Sequence, residues 1–258
     1  MPKRRFFDAY VHLPIPSGEG ISIKELEEKI VLLSEKCRES GYKGCIYTIQ
    51  VRDKQRISRK YLRSIYNFIR KSEKLDKNTV HGLRIEIIEQ NQQKILNYIR
   101  SLRAYADIIS IAGINRGILA LGSRDRRVDV VTLIPGITPQ IFRGDISYAL
   151  SLNKFFELQL YHLLKKDIIK TARAIDFART LINPLAKKKV NLLVSTGPFE
   201  PYSPRNPKNV VAFMKKFFDL PEDYVVKNMS EKIEYLITKN RLKLEKKIPV
   251  NGVYIEEN

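Results

Sequence analysis

From residue 6 to residue 195, short apolar runs alternate with stretches in which apolar side chains recur every three or four positions. The runs at 6–13, 45–51, 83–88, 108–111, 128–134, 155–160 and 191–195 are rich in Ile, Val, Phe and Tyr. They are mostly apolar on both sides of an extended chain. A strand wetted on one side alternates polar and apolar residues, whereas a strand covered on both sides does not. The runs therefore predict buried strands of a parallel sheet. The periodic stretches at 23–40, 59–74, 92–105, 115–121, 147–152, 165–186 and 207–218 predict the helices between and after them. Strand–helix units repeated in this way predict an α/β fold, an incomplete or distorted TIM-like (β/α) barrel with about seven parallel strands. No eighth strand is legible. Helical patterns at 222–228 and 230–240 follow instead. The expected organisation is one (β/α)-barrel domain over residues 1–258, its last ~35 residues a helical extension. A doubly wound open sheet is the alternative.

No apolar run reaches the length of a spanning helix. The best candidate, 106–122, is cut by Asp107, Asn115 and Arg116. Lys3, Arg4 and Arg5 before Phe6 and Phe7 resemble the basic end of a signal peptide. Asp8, His12, Pro14 and Pro16 interrupt the apolar run that should follow, so a cytoplasmic location and no membrane partner are expected. Cys37 and Cys45 read as two buried thiols, with a disulfide open to them in a hyperthermophile. Proline-rich loops at 14–20 and 198–207 follow the first and seventh strands, on the barrel face that carries function.

Charge adds the first functional direction. Over 258 residues, 47 Lys and Arg stand against 28 Asp and Glu, a formal net charge of +19. Such a field draws polyanions, and on nucleic acid it is rewarded by counterion release. The segment 52–77 holds ten basic residues against three acids. On its helical part Leu62, Ile65, Tyr66 and Ile69 share one side. Arg59, Lys60, Arg63, Asn67, Arg70, Lys71 and Lys74 share the other without an acid among them. A solvated face usually mixes signs, so this face, with Arg52 and Arg56 before it, is a candidate phosphate-tracking surface. Arg124, Arg126 and Arg127 form a second cluster at the barrel's opposite end, and 165–189 holds eight basic residues against two acids. Three separated patches predict a broad contact with structured RNA, read by shape and backbone, because no zinc knuckle, Gly-x-x-Gly clamp or RNA-recognition sheet signature is present.

Catalytic patterns are weak. His12, His81 and His162 form no His-x-His or His-Glu-x-x-His motif, and only Asp8, His12, Asp53, Glu86, Glu89 and His162 could converge on a metal. Neither a catalytic set nor a metal site is expected. Ser195-Thr196-Gly197 closes the seventh strand where many barrels bind phosphate, but a single glycine favours a plain turn. Asp129 and Glu157 lie inside strands and read as structural acids, with Arg127 a possible partner for the first.

The second half resembles a known family. The carrying residues are Asp107-Ile108-Ile109-Ser110 with Asn115-Arg116, the strand Arg127-Val128-Asp129-Val130-Val131-Thr132-Leu133, and Glu157. They continue with Val194-Ser195-Thr196-Gly197, Tyr202-Ser203-Pro204-Arg205-Asn206-Pro207, Asn240-Arg241 and Gly252-Val253-Tyr254-Ile255. In order and spacing these resemble archaeal ribonuclease P protein component 3, the 30-kDa-subunit family of ribonuclease P, from about Asp107 to Glu256. The family shows Gly-Ala where Thr196-Gly197-Pro198 stand here. The resemblance implies a seven-stranded barrel related to metallo-phosphoesterases without their ligands. It implies binding to ribonuclease P RNA beside protein component 2, as a hetero-oligomer, with precursor tRNA contacted indirectly. Cleavage of 5′ leaders would rest on Mg²⁺ acting on the RNA, with no cofactor held by the protein. Arg116, Arg127 and Arg205 are the family-matched basic positions. The rival readings are a barrel metallo-phosphoesterase with a degenerate metal site and an unrelated scaffold.

Overall fold

The structure, a computed structural model, describes residues 5–14, 22–52, 58–75, 79–199 and 201–245. Its strands are β1 (Phe7–Leu13), β2 (Gly44–Arg52), β3 (Val80–Ile88), β4 (Ile108–Ala112), β5 (Val130–Leu133), β6 (Phe155–Gln159) and β7 (Asn191–Ser195). They form a seven-stranded sheet in chain order, every neighbouring pair parallel. The helices are α1 (Ile23–Glu39), α2 (Arg59–Leu75), α3 (Gln92–Leu102), α4 (Arg116–Arg124), α5 (Arg143–Ser151), α6 (Leu160–Leu163), α7 (Ile168–Lys187), α8 (Pro207–Phe218), α9 (Glu222–Asn228) and α10 (Glu231–Leu244). The incomplete barrel is therefore the observed fold, and the open doubly wound sheet is not.

Capping side chains set the helix boundaries that periodicity left loose. Ser22 and Glu25 form a reciprocal capping box on α1. Asp167 accepts from the N–H groups of Ile169 and Lys170, so α7 starts at Ile168 rather than 165. Asp145 accepts from the N–H of Phe142, which starts α5 at Arg143, four residues before the predicted 147. β6 ends at Gln159 because the chain turns directly into the short α6.

The barrel interior is layered. At its N-terminal end, Phe7, Ile46, Ile108, Val130, Phe155 and Leu193 form an apolar layer closed by Ile233, Leu236 and Ile237 of α10. Gly82 belongs to this end, where an added Cβ would sit 3.1 Å from Ile46 and 3.6 Å from Ile237. The predicted helical extension is thus a plug. Arg241 of α10 fixes it by ion pairs to Asp107 and Glu73, and Asn240 donates to the Asp107 carbonyl. Above the apolar layer the interior turns polar, and beyond that it opens at the C-terminal mouth.

No β7–β1 ladder exists among the described residues. Side chains close the seam instead. The buried Asp8 carboxylate of β1 accepts from the backbone N–H of Thr196 at 3.0 Å, and also from the Thr196 and Tyr202 hydroxyls. Asn228 accepts from the Leu192 N–H at 3.2 Å, and the Phe7 N–H donates to the Met229 carbonyl at 2.9 Å. These bonds satisfy edge groups that an eighth strand would otherwise pair. Cys37 and Cys45 are both buried free thiols.

Candidate nucleic-acid interface

The place to test first in a barrel is its C-terminal mouth. A cavity of about 600 Å³ opens there, lined by His12, Gln50, Glu86, Gln159, Tyr161 and His162 among others. Its floor is a buried polar cluster centred on Arg84, which is 0% exposed. The guanidinium makes a bidentate pair with Glu157, at 2.7 and 2.6 Å, and reaches Glu86 at 3.2 Å, Ser110 at 2.7 Å and the Ala9 carbonyl at 3.2 Å. Glu86 also accepts from Tyr10 at 2.8 Å, Thr132 at 2.7 Å, Gln50 at 3.1 Å and Gln159 at 3.3 Å. Glu157 further accepts from Ser195 at 2.8 Å. Burial pushes the Glu157 carboxyl upward. Arg84, Ser195 and Gln159 more than offset that and hold it below its ordinary 4.5. Glu157 is thus the structural acid that its place inside a strand predicts, and its cation is Arg84 of β3. The signal for that cation is in the sequence: Arg84 and Glu86 sit two apart in an apolar strand and so share its inward face.

This arrangement does not fit a metal. Among the described residues no three His, Cys, Asp or Glu side chains converge as ligands. The two mouth carboxylates are bound to a guanidinium and to hydroxyl and amide donors, and Asp8 is turned to the β7 seam. Burial pulls His162 below its ordinary value. The cluster carries two carboxylates against one guanidinium, a formal sign that repels phosphate. Nor is Ser195-Thr196-Gly197 an anion corner: the Ser195 hydroxyl is given to Glu157, and the Thr196 N–H and hydroxyl are given to Asp8. Gly197 has φ +85 and packs against Tyr161 and Gln159, where a Cβ would fall 2.8 and 3.0 Å from their side chains. It is the plain turn.

The described basic residues that the sequence offers for RNA lie outside the barrel and do not converge. On α2, Leu62, Ile65 and Ile69 are buried, as the helical wheel predicts, and Arg59, Lys60, Arg63 and Lys71 are exposed. Among the described residues no ion pair holds any of these four cations. Arg70 differs: it pairs with Glu73 at 3.6 Å and Glu245 at 3.3 Å. Arg52 is exposed beside the mouth and donates to Gln50 at 3.1 Å. Arg56 and the Lys74 side chain lie outside the described residues, as does the segment 252–255 quoted in the resemblance.

Two family-matched arginines are neutralised locally. Arg127 makes a bidentate pair with Asp125, at 2.9 and 2.5 Å, rather than with Asp129. Burial alone would raise Asp125, but the Arg127 side chain and N–H hold its carboxyl below the ordinary 3.8. Asp129 is held instead by Arg103 at 2.6 Å. Arg116 pairs with Asp145 and donates to the Gln140 carbonyl at 2.9 Å. Arg124 is exposed and lies over the Tyr148 ring. Arg205 is exposed on the mouth side before α8 and lines a groove with Leu160, Leu164, Val210 and Phe213. The pairing of Arg116 and Arg127 could not be read from local charge counts, because Asp145 is 29 residues from Arg116 and Asp125 looked like a lone acid in a basic run.

No curated protein sequence matches. A chain of the cryo-EM structure of archaeal ribonuclease P with mature tRNA superposes with a TM-score of 0.68 at 20% identity, covering 98% of each chain. Histidinol phosphate phosphatase from Lactococcus lactis subsp. lactis Il1403, in complex with Zn, L-histidinol and phosphate, aligns over 92% of this chain and 94% of its own at 9% identity, with a TM-score of 0.49. The first of these shares the fold. The family described as RNase P subunit p30 matches residues 5–245, nearly the whole length. The chain belongs to the RNase P subunit p30 family, with a subunit role in tRNA processing.

Proposed function

We propose that this subunit binds RNA within ribonuclease P and carries no catalytic group of its own. It supports removal of 5′ leaders from precursor tRNA by an RNA whose own Mg²⁺ does the chemistry. One observation carries the reading: in a member of this family, the exposed cations of α2 stand without acids among the described residues, while the carboxylates of the barrel mouth are spent on Arg84. Unpaired surface cations release counterions from a phosphate backbone. Carboxylates locked to a guanidinium are poor metal ligands and poor bases. The partners in this reading are ribonuclease P RNA and protein component 2, with precursor tRNA reached through the complex, in the cytoplasm. No described helix is long and apolar enough to cross a membrane.

The test reverses Arg59, Lys60 and Arg63 to Glu and measures binding to ribonuclease P RNA across a salt series. Affinity is expected to fall, and the plot of log K against log salt to become shallower. An unchanged affinity and slope would remove α2 from the interface. Metal-dependent turnover of phosphate esters by the chain alone, abolished by His12→Ala, would overturn the non-catalytic part.

A further inference from the structure

Two of the arginines assigned to RNA sit over exposed aromatic rings on the α4–α5 face, and their geometry separates two kinds of RNA contact. The Arg116 guanidinium lies 4.6 Å from the centroid of the Phe142 ring. Two of its five N–H donors are already used, one on each terminal nitrogen: one donates to the Gln140 carbonyl at 2.9 Å and the other to the Asp145 carboxylate. Asp145 is 3% exposed and also accepts from the Phe142 N–H, so both members of the stack are held from the same buried point. Phosphate is recognised by the edge of a guanidinium, whereas stacking on a base uses its face. The Arg116 side chain is still 36% exposed, and Phe142 is 52% exposed. Arg116 and Phe142 together therefore present a partly exposed cation over an exposed aromatic ring. Further along α4, roughly 12 Å away at helical rise, Arg124 lies 5.7 Å from the centroid of Tyr148, which is 48% exposed. The acids nearby are consumed, Asp145 by Arg116 and Asp125 by Arg127, while Arg126 and Arg143 are exposed. The face is positive and carries two exposed aromatic rings, each with an arginine over it.

We propose that the Arg116–Phe142 and Arg124–Tyr148 pairs form a platform on which unpaired RNA bases stack. The inference rests on the RNA-binding reading above and names the class of RNA this face takes. Duplex RNA hides its base planes and displays phosphate and sugar. Single strands display both planes and charge, which is the pairing this face matches. Arg116 is then a stacking group rather than a phosphate clamp.

The experiment uses the full chain, a labelled short oligoadenylate and an RNA duplex of the same length. The variants are Phe142→Ala with Tyr148→Ala, and separately Arg116→Lys. Both aromatic side chains are half in solvent, so their removal is expected to leave the unfolding temperature in place. Arg116→Lys keeps the charge and loses the plane. Each variant is expected to weaken oligoadenylate binding, by roughly fivefold to a hundredfold for each stacked base lost. Duplex affinity and the salt slope should stay as in the wild type. Unchanged oligoadenylate binding overturns the proposal. So does an equal loss for the duplex, or a loss of binding to a protein partner with both RNAs unaffected. If the wild-type chain binds neither RNA, the RNA-binding reading itself fails. If it binds both and supports leader removal but the variants match it, only the platform fails.

Discussion

A guanidinium buried at the centre of a barrel must be paired and hydrogen-bonded, and the residues around Arg84 do both. Removing one partner of a buried pair typically costs about 3–5 kcal/mol, because the other charge is left without compensation. Arg84→Met should therefore lower unfolding stability by about that much at neutral pH in urea titrations. Its pH dependence carries a sign. With the Glu157 carboxyl held below its ordinary 4.5 in the folded chain, it contributes stability above that pH, lost as pH falls through the folded value. Without Arg84, burial dominates and the carboxyl rises, so acid relieves the variant. The gap between wild type and Arg84→Met should narrow from pH 7 toward pH 4, and a gap that widens would refute this account. Such pairs were only half legible. A strand shows which side chains share its face, so Glu157 was readable as an internal acid. Which strand supplies its cation is a property of barrel closure: Arg84 lies 73 residues away. Asp129 likewise found Arg103 rather than the nearer Arg127.

At the scale of elements, hydrophobic patterning located the strands because each is covered on both faces. It located α2 because its wheel separates Leu62, Ile65 and Ile69 from its cations. It did not reveal what α10 does. A helix after the last strand looks like an appendage in sequence. Here Ile233, Leu236 and Ile237 fill the end of the barrel, and Arg241 ties them to Asp107 and Glu73. Asp107 is fully buried, and its carboxylate also accepts from the Leu83 N–H at 3.0 Å and from Tyr66 at 3.3 Å. Arg241→Met would leave that acid without its cation. We expect faster amide hydrogen exchange across α10 and a loss of about 3–5 kcal/mol in global stability. Protection of 231–244 equal to the wild type would show that the apolar contacts alone hold the plug.

For the whole molecule, the question is whether a net charge of +19 acts as one site or several. α2 follows β2 and α7 follows β6, so in a ring of seven strands they stand on different sides of the barrel. Lys170 and Arg173 on α7 are exposed, as are Arg59 and Arg63 on α2. RNA that wraps the barrel meets both helices independently, and distant independent sites add to within about 0.3–0.5 kcal/mol. RNA seated in one cleft would touch one helix, and the other would matter only through the long-range field, which is screened over roughly 8–10 Å at physiological salt. Arg59→Glu with Arg63→Glu, and Lys170→Glu with Arg173→Glu, should each weaken binding to ribonuclease P RNA. Together they should cost the sum of the two losses. The slope against log salt should fall by roughly 0.7–0.9 for each phosphate contact removed. A combined variant no weaker than the worse of the two pairs would mean that only one side of the barrel meets RNA, and the wrapped arrangement would have to be abandoned.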